Sequence, residues 1–157
     1  MKEPSKKLKL IAALLHENTT LSLATTGADG EASVAPLFYL PGNDLSLYWL
    51  SSDDSLHSLN LKRQPRAAAT VYCDAGSWRE IRGVQMRGSV GKITEADRRA
   101  ELTEAYCERF KLGRILRMAV RQSALYRFQP EFFRYIDNAR GFGYKFELTL
   151  RPEEWSL

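Results

Sequence analysis

The chain holds only two cysteines, Cys73 and Cys107, and two histidines, His16 and His57. None of the four stands at metal-ligand spacing, so a zinc module is excluded and no metal is expected. Two thiols are too few for a disulfide scaffold and read as buried free cysteines. No apolar run approaches the roughly 20 residues that span a bilayer. The Lys-rich start leads into an amphipathic pattern with no cleavable signal, so a cytoplasmic protein without a membrane partner is expected. Also missing are a phosphate-gripping Walker loop, a GxGxxG followed by an acidic residue, GxSxG, HExxH and any Ser/His/Asp order. A hydrolase would need a base, and two histidines leave few candidates. Repeats and low-complexity linkers are absent. So is the alternation of strand and helix that a parallel sheet requires.

What remains is an ordinary globular composition, 44% hydrophobic and 27% charged over 157 residues. That length fits one domain, 1–157, with one core. A net charge of +4 would suit an anionic partner, but the cations are scattered. Arg98, Arg99 and Arg109 interleave with Glu95, Glu101, Glu104 and Glu108 as a solvated helix face does, whereas the next helix, with Arg114, Arg117 and Arg121, is more plainly basic. Nucleic acid is therefore a minor alternative and not the expected partner.

Leu8, Ile11, Ala12 and Leu15 recur at helical spacing over 5–17, with Ser5 as the cap. Strands are expected at 21–26, 32–40 and 45–50, joined by Gly/Asp turns as an antiparallel meander. A short helix follows, with Leu56, Leu59, Asn60 and Arg63 on one face and Pro65 ending it. Further strands are expected at 66–73 and 83–94, the second bent at its glycines. Helices over 95–110 and 112–121 precede strands at 124–130, 131–137 and 144–150. Many short strands with a few helices predict a mainly β protein built as an antiparallel, closed or nearly closed β-barrel. A barrel this small fills its interior with side chains, so a ligand would sit outside it.

The stretch SSDDSLHSLNLKRQP, 51–65, gathers hydroxyls and unpaired backbone N–H groups where a strand runs into a helix, a recipe for holding a phosphate. A phosphate beside His57 would raise its pKa and add charge to the grip. Asp53 and Asp54 oppose an anion unless they point to solvent. The bland alternative makes one aspartate the helix cap and His57 a surface residue.

From APLFYL through LSLYWLSSDDSLHSLNLKRQPRAAATVY to RGVQMRGSVGKIT, the chain resembles the FMN-binding split-barrel superfamily of pyridoxamine 5'-phosphate oxidase. The likeness runs continuously from Leu21 to about Thr94. Tyr106, Arg109, Phe110 and the terminal DNARGFGYKFEL look like a small bacterial branch with no established substrate. The resemblance implies a Greek-key-like split barrel, a homodimer, and FMN in clefts between subunits. Ser51 falls where the phosphate-binding Thr or Ser sits and His57 on the phosphate-binding Lys, while Ser52 and Ser55 are neighbours that could add donors. Backbone at Ala35, Pro36 and Leu37 would run beside the flavin. Gln85 shares a strand face with Gly83, which stands where the oxidase has its flavin-contacting Gln. The family's cations are replaced here by Ala35, Leu40 and Leu56, and Arg82, Arg87 and Lys62 are the substitutes within reach of sequence.

The resemblance thus points to a flavin-dependent reductase or oxidase acting on a small planar molecule, with no separate catalytic group required. Phe38, Tyr39, Trp49, Trp78, Phe142 and Tyr144 line the cleft or else lie in the core. The turn Arg140–Gly143 covers a ligand or else simply leads into the last strand. The alternative from another class is a non-enzymatic protein that stores, senses or carries flavin or haem on the same barrel, with His57 or His16 as an iron ligand.

Overall fold

A computed structural model describes residues 6–150. The elements run α1 (Lys6–Glu17), β1 (Thr20–Thr26), β2 (Ala32–Phe38), β3 (Leu40–Pro41), β4 (Leu47–Ser51), α2 (Leu56–Arg63), β5 (Arg66–Tyr72), β6 (Arg82–Lys92), α3 (Ala96–Arg109), α4 (Arg114–Gln122), β7 (Ala124–Asp137) and β8 (Lys145–Thr149). Ser5, expected to cap α1, lies outside the described residues. All strand pairings are antiparallel, in the order β2-β1-β5-β6-β7-β4-β3, with β8 alongside β7. The sheet curls into an open, split barrel, mainly β with helices at its margins. Among the described residues no helix is long and apolar enough to cross a membrane.

Period-two alternation decides which side chains fill the barrel. Leu21 and Leu23 of β1, Ala69 and Val71 of β5, Val84 and Met86 of β6, and Phe128, Phe133 and Tyr135 of β7 all point inward with Trp49. α1 closes one side with Ile11, Leu14 and Leu15. A smaller cluster of Tyr48, Leu102 and Leu125 seats α3.

The expected meander of the first three strands forms in part: β1 pairs with β2, and Leu40, at the end of the expected second strand, pairs with Tyr48 of the third. The third strand, β4, pairs with β7 and not with β2. Two anchors explain this. Tyr39 ends β2 by turning into the core, where its hydroxyl donates to the Leu15 carbonyl at 2.6 Å. The β3–β4 turn is then pinned to β7 by Arg127, whose guanidinium reaches Asp44 at 2.6 Å and the Ser46 hydroxyl at 3.0 Å. Residues 124–137 form one strand that continues past Pro130. It carries a bulge there, because the register steps from Gly88↔Pro130 to Arg87↔Phe132 and leaves Glu131 without a partner on β6. A Cβ at Gly88 would lie 2.0 Å from the Gln129 carbonyl oxygen, so only glycine permits that approach.

Candidate functional site

α2 begins where β4 ends, and Ser55 caps it by accepting the Ser58 N–H at 3.4 Å. Neither aspartate is the cap. Asp54 accepts from the Ser52 hydroxyl, while Asp53 turns to Lys92, at 2.6 Å, and to the Tyr126 hydroxyl, at 3.0 Å. With the aspartates drawn aside, Ser51, Ser55 and His57 converge. His57 Nε2 lies 2.7 Å from Ser51 Oγ and 3.1 Å from Ser55 Oγ, and the two hydroxyls are 3.2 Å apart. Burial holds the imidazole pKa below its ordinary value and so favours the neutral ring. An anion at the same place would act in the opposite direction.

α2 is fastened across β1 and β2 by Asn60, whose amide donates at 3.1 Å to both the Thr25 and Ser33 hydroxyls. This sets the helix rotation and corrects the expected face. Ser58, Asn60 and Leu61 are buried, while Leu56, Leu59 and Arg63 point outward. A buried polar side chain that finds two hydroxyl partners outweighs the placement of two leucines.

The other expected site residues lie on the sheet. On β2, Ala35 and Leu37 face inward and Pro36 outward. Register then builds two outward rows across the strands. One joins Pro36, Ser22, Thr70, Gln85 and Arg134, the other Val34, Ala24, Ala68, Arg87 and Phe132. Between them lies a groove of about 500 Å³ with a floor of small side chains, in which Gln85, Arg87 and Arg134 supply the polar edge. Gln85 shares a row with Pro36 but stands three strands away, about 14 Å at the usual strand spacing.

None of the three substitute cations joins the Ser51–His57 cluster. Arg82 is engaged by Glu17 and the Cys73 sulfur, Arg87 lies over the Phe132 ring at 4.3 Å, and Lys62 lines a different cavity. Of the six aromatics weighed for the cleft, Tyr39 and Trp49 are core, whereas Phe38, Trp78, Phe142 and Tyr144 are exposed. Phe142 packs edge-on against Trp78, with ring centroids 5.4 Å apart, tying the Arg140–Gly143 turn to the loop before β6. The groove residues Arg134 and Phe132, and the Lys92 and Tyr126 that gather around Asp53, carry no signal in the sequence. No local pattern marks them, because pairing between distant strands brings them together.

A family model described as pyridoxamine 5'-phosphate oxidase matches residues 8–137. The chain belongs to that family. A "UPF0306 protein" of Cronobacter sakazakii is 31% identical over 128 residues, covering 80% of this chain and 84% of the relative. Two solved structures share the fold. A conserved hypothetical protein, Rv2991, of Mycobacterium tuberculosis superposes with a TM-score of 0.73 at 20% identity, covering 86% of each chain. HutZ of Vibrio cholerae, titled a haem storage protein, gives 0.66 at 20% identity over 80% of this chain and 88% of its own.

Proposed function

We propose that the protein is an FMN-binding oxidoreductase that works as a homodimer, holding the cofactor's phosphate at the N-terminus of α2 and its ring beside the outer face of the sheet. The observation that carries the reading is the convergence of Ser51, Ser55 and His57, with Ser52 adjacent, on the first turn of α2. Hydroxyl donors, the unpaired N–H groups of a helix start and the positive end of the helix dipole suit an anion. His57 can supply the charge that Ala35, Leu40 and Leu56 do not. Because burial favours its neutral form, phosphate binding would draw a proton onto the ring, and affinity for FMN should strengthen as pH falls toward 6.

For the ring, β2 is an edge strand paired only with β1. The register that sends the Tyr39 N–H to the Thr19 carbonyl also turns the backbone of Ala35 and Leu37 toward β1, so the edge groups left for a heterocycle's polar rim are those of Val34 and Phe38 and the carbonyl of Pro36, which has no N–H. Flavin, when bound, supplies the hydride or electron transfer. The chain's part is to position the ring and to admit a small planar substrate onto it. A second copy is favoured by apolar surface lacking cover on one protomer, Val34 and Phe38 on the sheet and Ile115, Leu116 and Met118 on α4.

Replacing Ser51 and His57 together by Ala should weaken FMN binding by about a hundredfold or more, the effect of two lost hydrogen bonds to a charged group, with the melting temperature unchanged. Fluorescence quenching of added FMN measures it. An unaltered dissociation constant would move the phosphate to another part of the surface.

Haem storage on the same barrel is a second reading, supported by the likeness to HutZ and by a neutral His57 with Nε2 at the cluster. Its iron ligation would break the Ser51 contact. Purified protein loaded in turn with FMN and with haemin separates the two, since a Soret band that shifts in His57→Ala supports haem alone.

A further inference from the structure

Next to the Ser51–His57 cluster, and lined by none of its three side chains, a cavity of about 370 Å³ opens between α2, the end of β6 and β7. Its depth carries two hydroxyls. Ser58 is 3% exposed, accepts from Ser55 Oγ at 2.8 Å and faces the hydroxyl of Tyr126, itself 3% exposed. At its mouth stand two ammonium groups. Lys92 is held 5.7 Å above the Tyr126 ring by Asp53. Lys62 makes no ion pair among the described residues. Leu61 and Val90 give the walls an apolar surface, and Gly91 contributes no side chain.

We propose that this cavity is a second binding site, for a small organic monoanion with an apolar body, its carboxylate held at the mouth by Lys62 with Lys92 beside it. The buried Ser58 and Tyr126 hydroxyls are engaged with one another and with Asp53. Two ammoniums against the one carboxylate of Asp53 leave a single net positive charge, which matches a monoanion and disfavours a neutral ligand. The Asp53 carboxylate opposes any anion that approaches Lys92, so the bound carboxylate sits toward Lys62. The apolar walls then receive the remainder of the molecule, as small-molecule pockets do. The site does not depend on FMN. It nevertheless touches the first cluster, because Ser55 bonds both Ser58 and His57, so an occupant would be felt at the His57 ring.

The test titrates the full chain with benzoate and, separately, with uncharged benzamide, following backbone amide shifts. Benzoate should saturate, with the largest shifts at Ser58 and Gly91 and a smaller one at His57, while benzamide should not. Lys62→Met changes an exposed side chain and should weaken benzoate about tenfold, the ratio expected for one lost charge-assisted contact. Equal binding of benzamide, shifts that map to the outer groove, or a benzoate affinity indifferent to Lys62→Met would each overturn the assignment.

Discussion

α3 and α4 follow one another in the chain, are both rich in arginine, and meet the rest of the molecule with opposite faces. α3 buries Leu102, Thr103, Tyr106 and Cys107 and leaves its charges outside. α4 buries nothing. It is held by its polar side, with Arg117 and Arg121 both reaching Glu104 of α3 and Arg99 donating back to the carbonyls of Arg121 and Ser123 at 2.8 and 2.7 Å. Its apolar residues point away, Ile115 being 87% exposed. A helix docked by arginines and showing isoleucine, leucine and methionine outward is the reverse of the usual arrangement. The pair shows that helices equally rich in arginine can be seated by an apolar face or held by a charged one, depending on where the opposing apolar area lies. It also accounts for the arginines that suggested nucleic acid, since most are engaged by Glu104, Glu101 or backbone carbonyls.

The largest expected effect comes from α3. Leu102 packs with Tyr48 and Leu125, so Leu102→Ala should lower unfolding free energy by about 2 to 5 kcal/mol. Ile115→Ala on α4 should change it by no more than about 0.5 kcal/mol. Urea unfolding of both variants measures the contrast. Comparable losses would mean that α4 is packed as α3 is.

Next in size is assembly. Ile115→Glu with Met118→Glu places two carboxylates on the outward face of α4 and should leave the melting temperature of a protomer near that of the parent, while lowering the sedimentation coefficient from dimer toward monomer. A double variant that sediments as the parent does would mean that α4 takes no part in pairing two copies.

Much of this fold is legible in local sequence. Helical spacing in α1 and α3 and strand alternation in β5 and β6 follow from side chains two to four residues apart. What local pattern misses is decided at long range. The β4 pairing depends on Arg127 finding Asp44, 83 residues earlier, and the rotation of α2 depends on an amide meeting hydroxyls on two other strands. The site divides likewise. Ser51, Ser55 and His57 lie within seven residues, and their convergence is a property of one turn. The rows that place Gln85 beside Arg134, and the cavity of Lys62, Lys92 and Tyr126, exist only once register is set.

The smallest effect sharpens the comparison most, because a single carboxylate carries it. Hydrogen bonding from Arg117, with Arg121 adding to it, holds the Glu104 carboxyl below its ordinary value of 4.5. A carboxylate depressed in this way stabilises the docked helix fully above the unfolded value, and the contribution fades as pH falls through the lower, folded pKa. Glu104→Gln should reproduce the acid condition at neutral pH by turning two ion pairs into weak neutral contacts. Hydrogen exchange should then quicken across α4, at Arg117 to Gln122, while Leu102 to Cys107 of α3 stay protected. The exposed setting makes the change modest and sensitive to salt. If exchange in α4 is the same in Glu104→Gln as in the parent, arginine pairing is not what fixes the helix, and its apolar face must already be covered by a partner that remains in place.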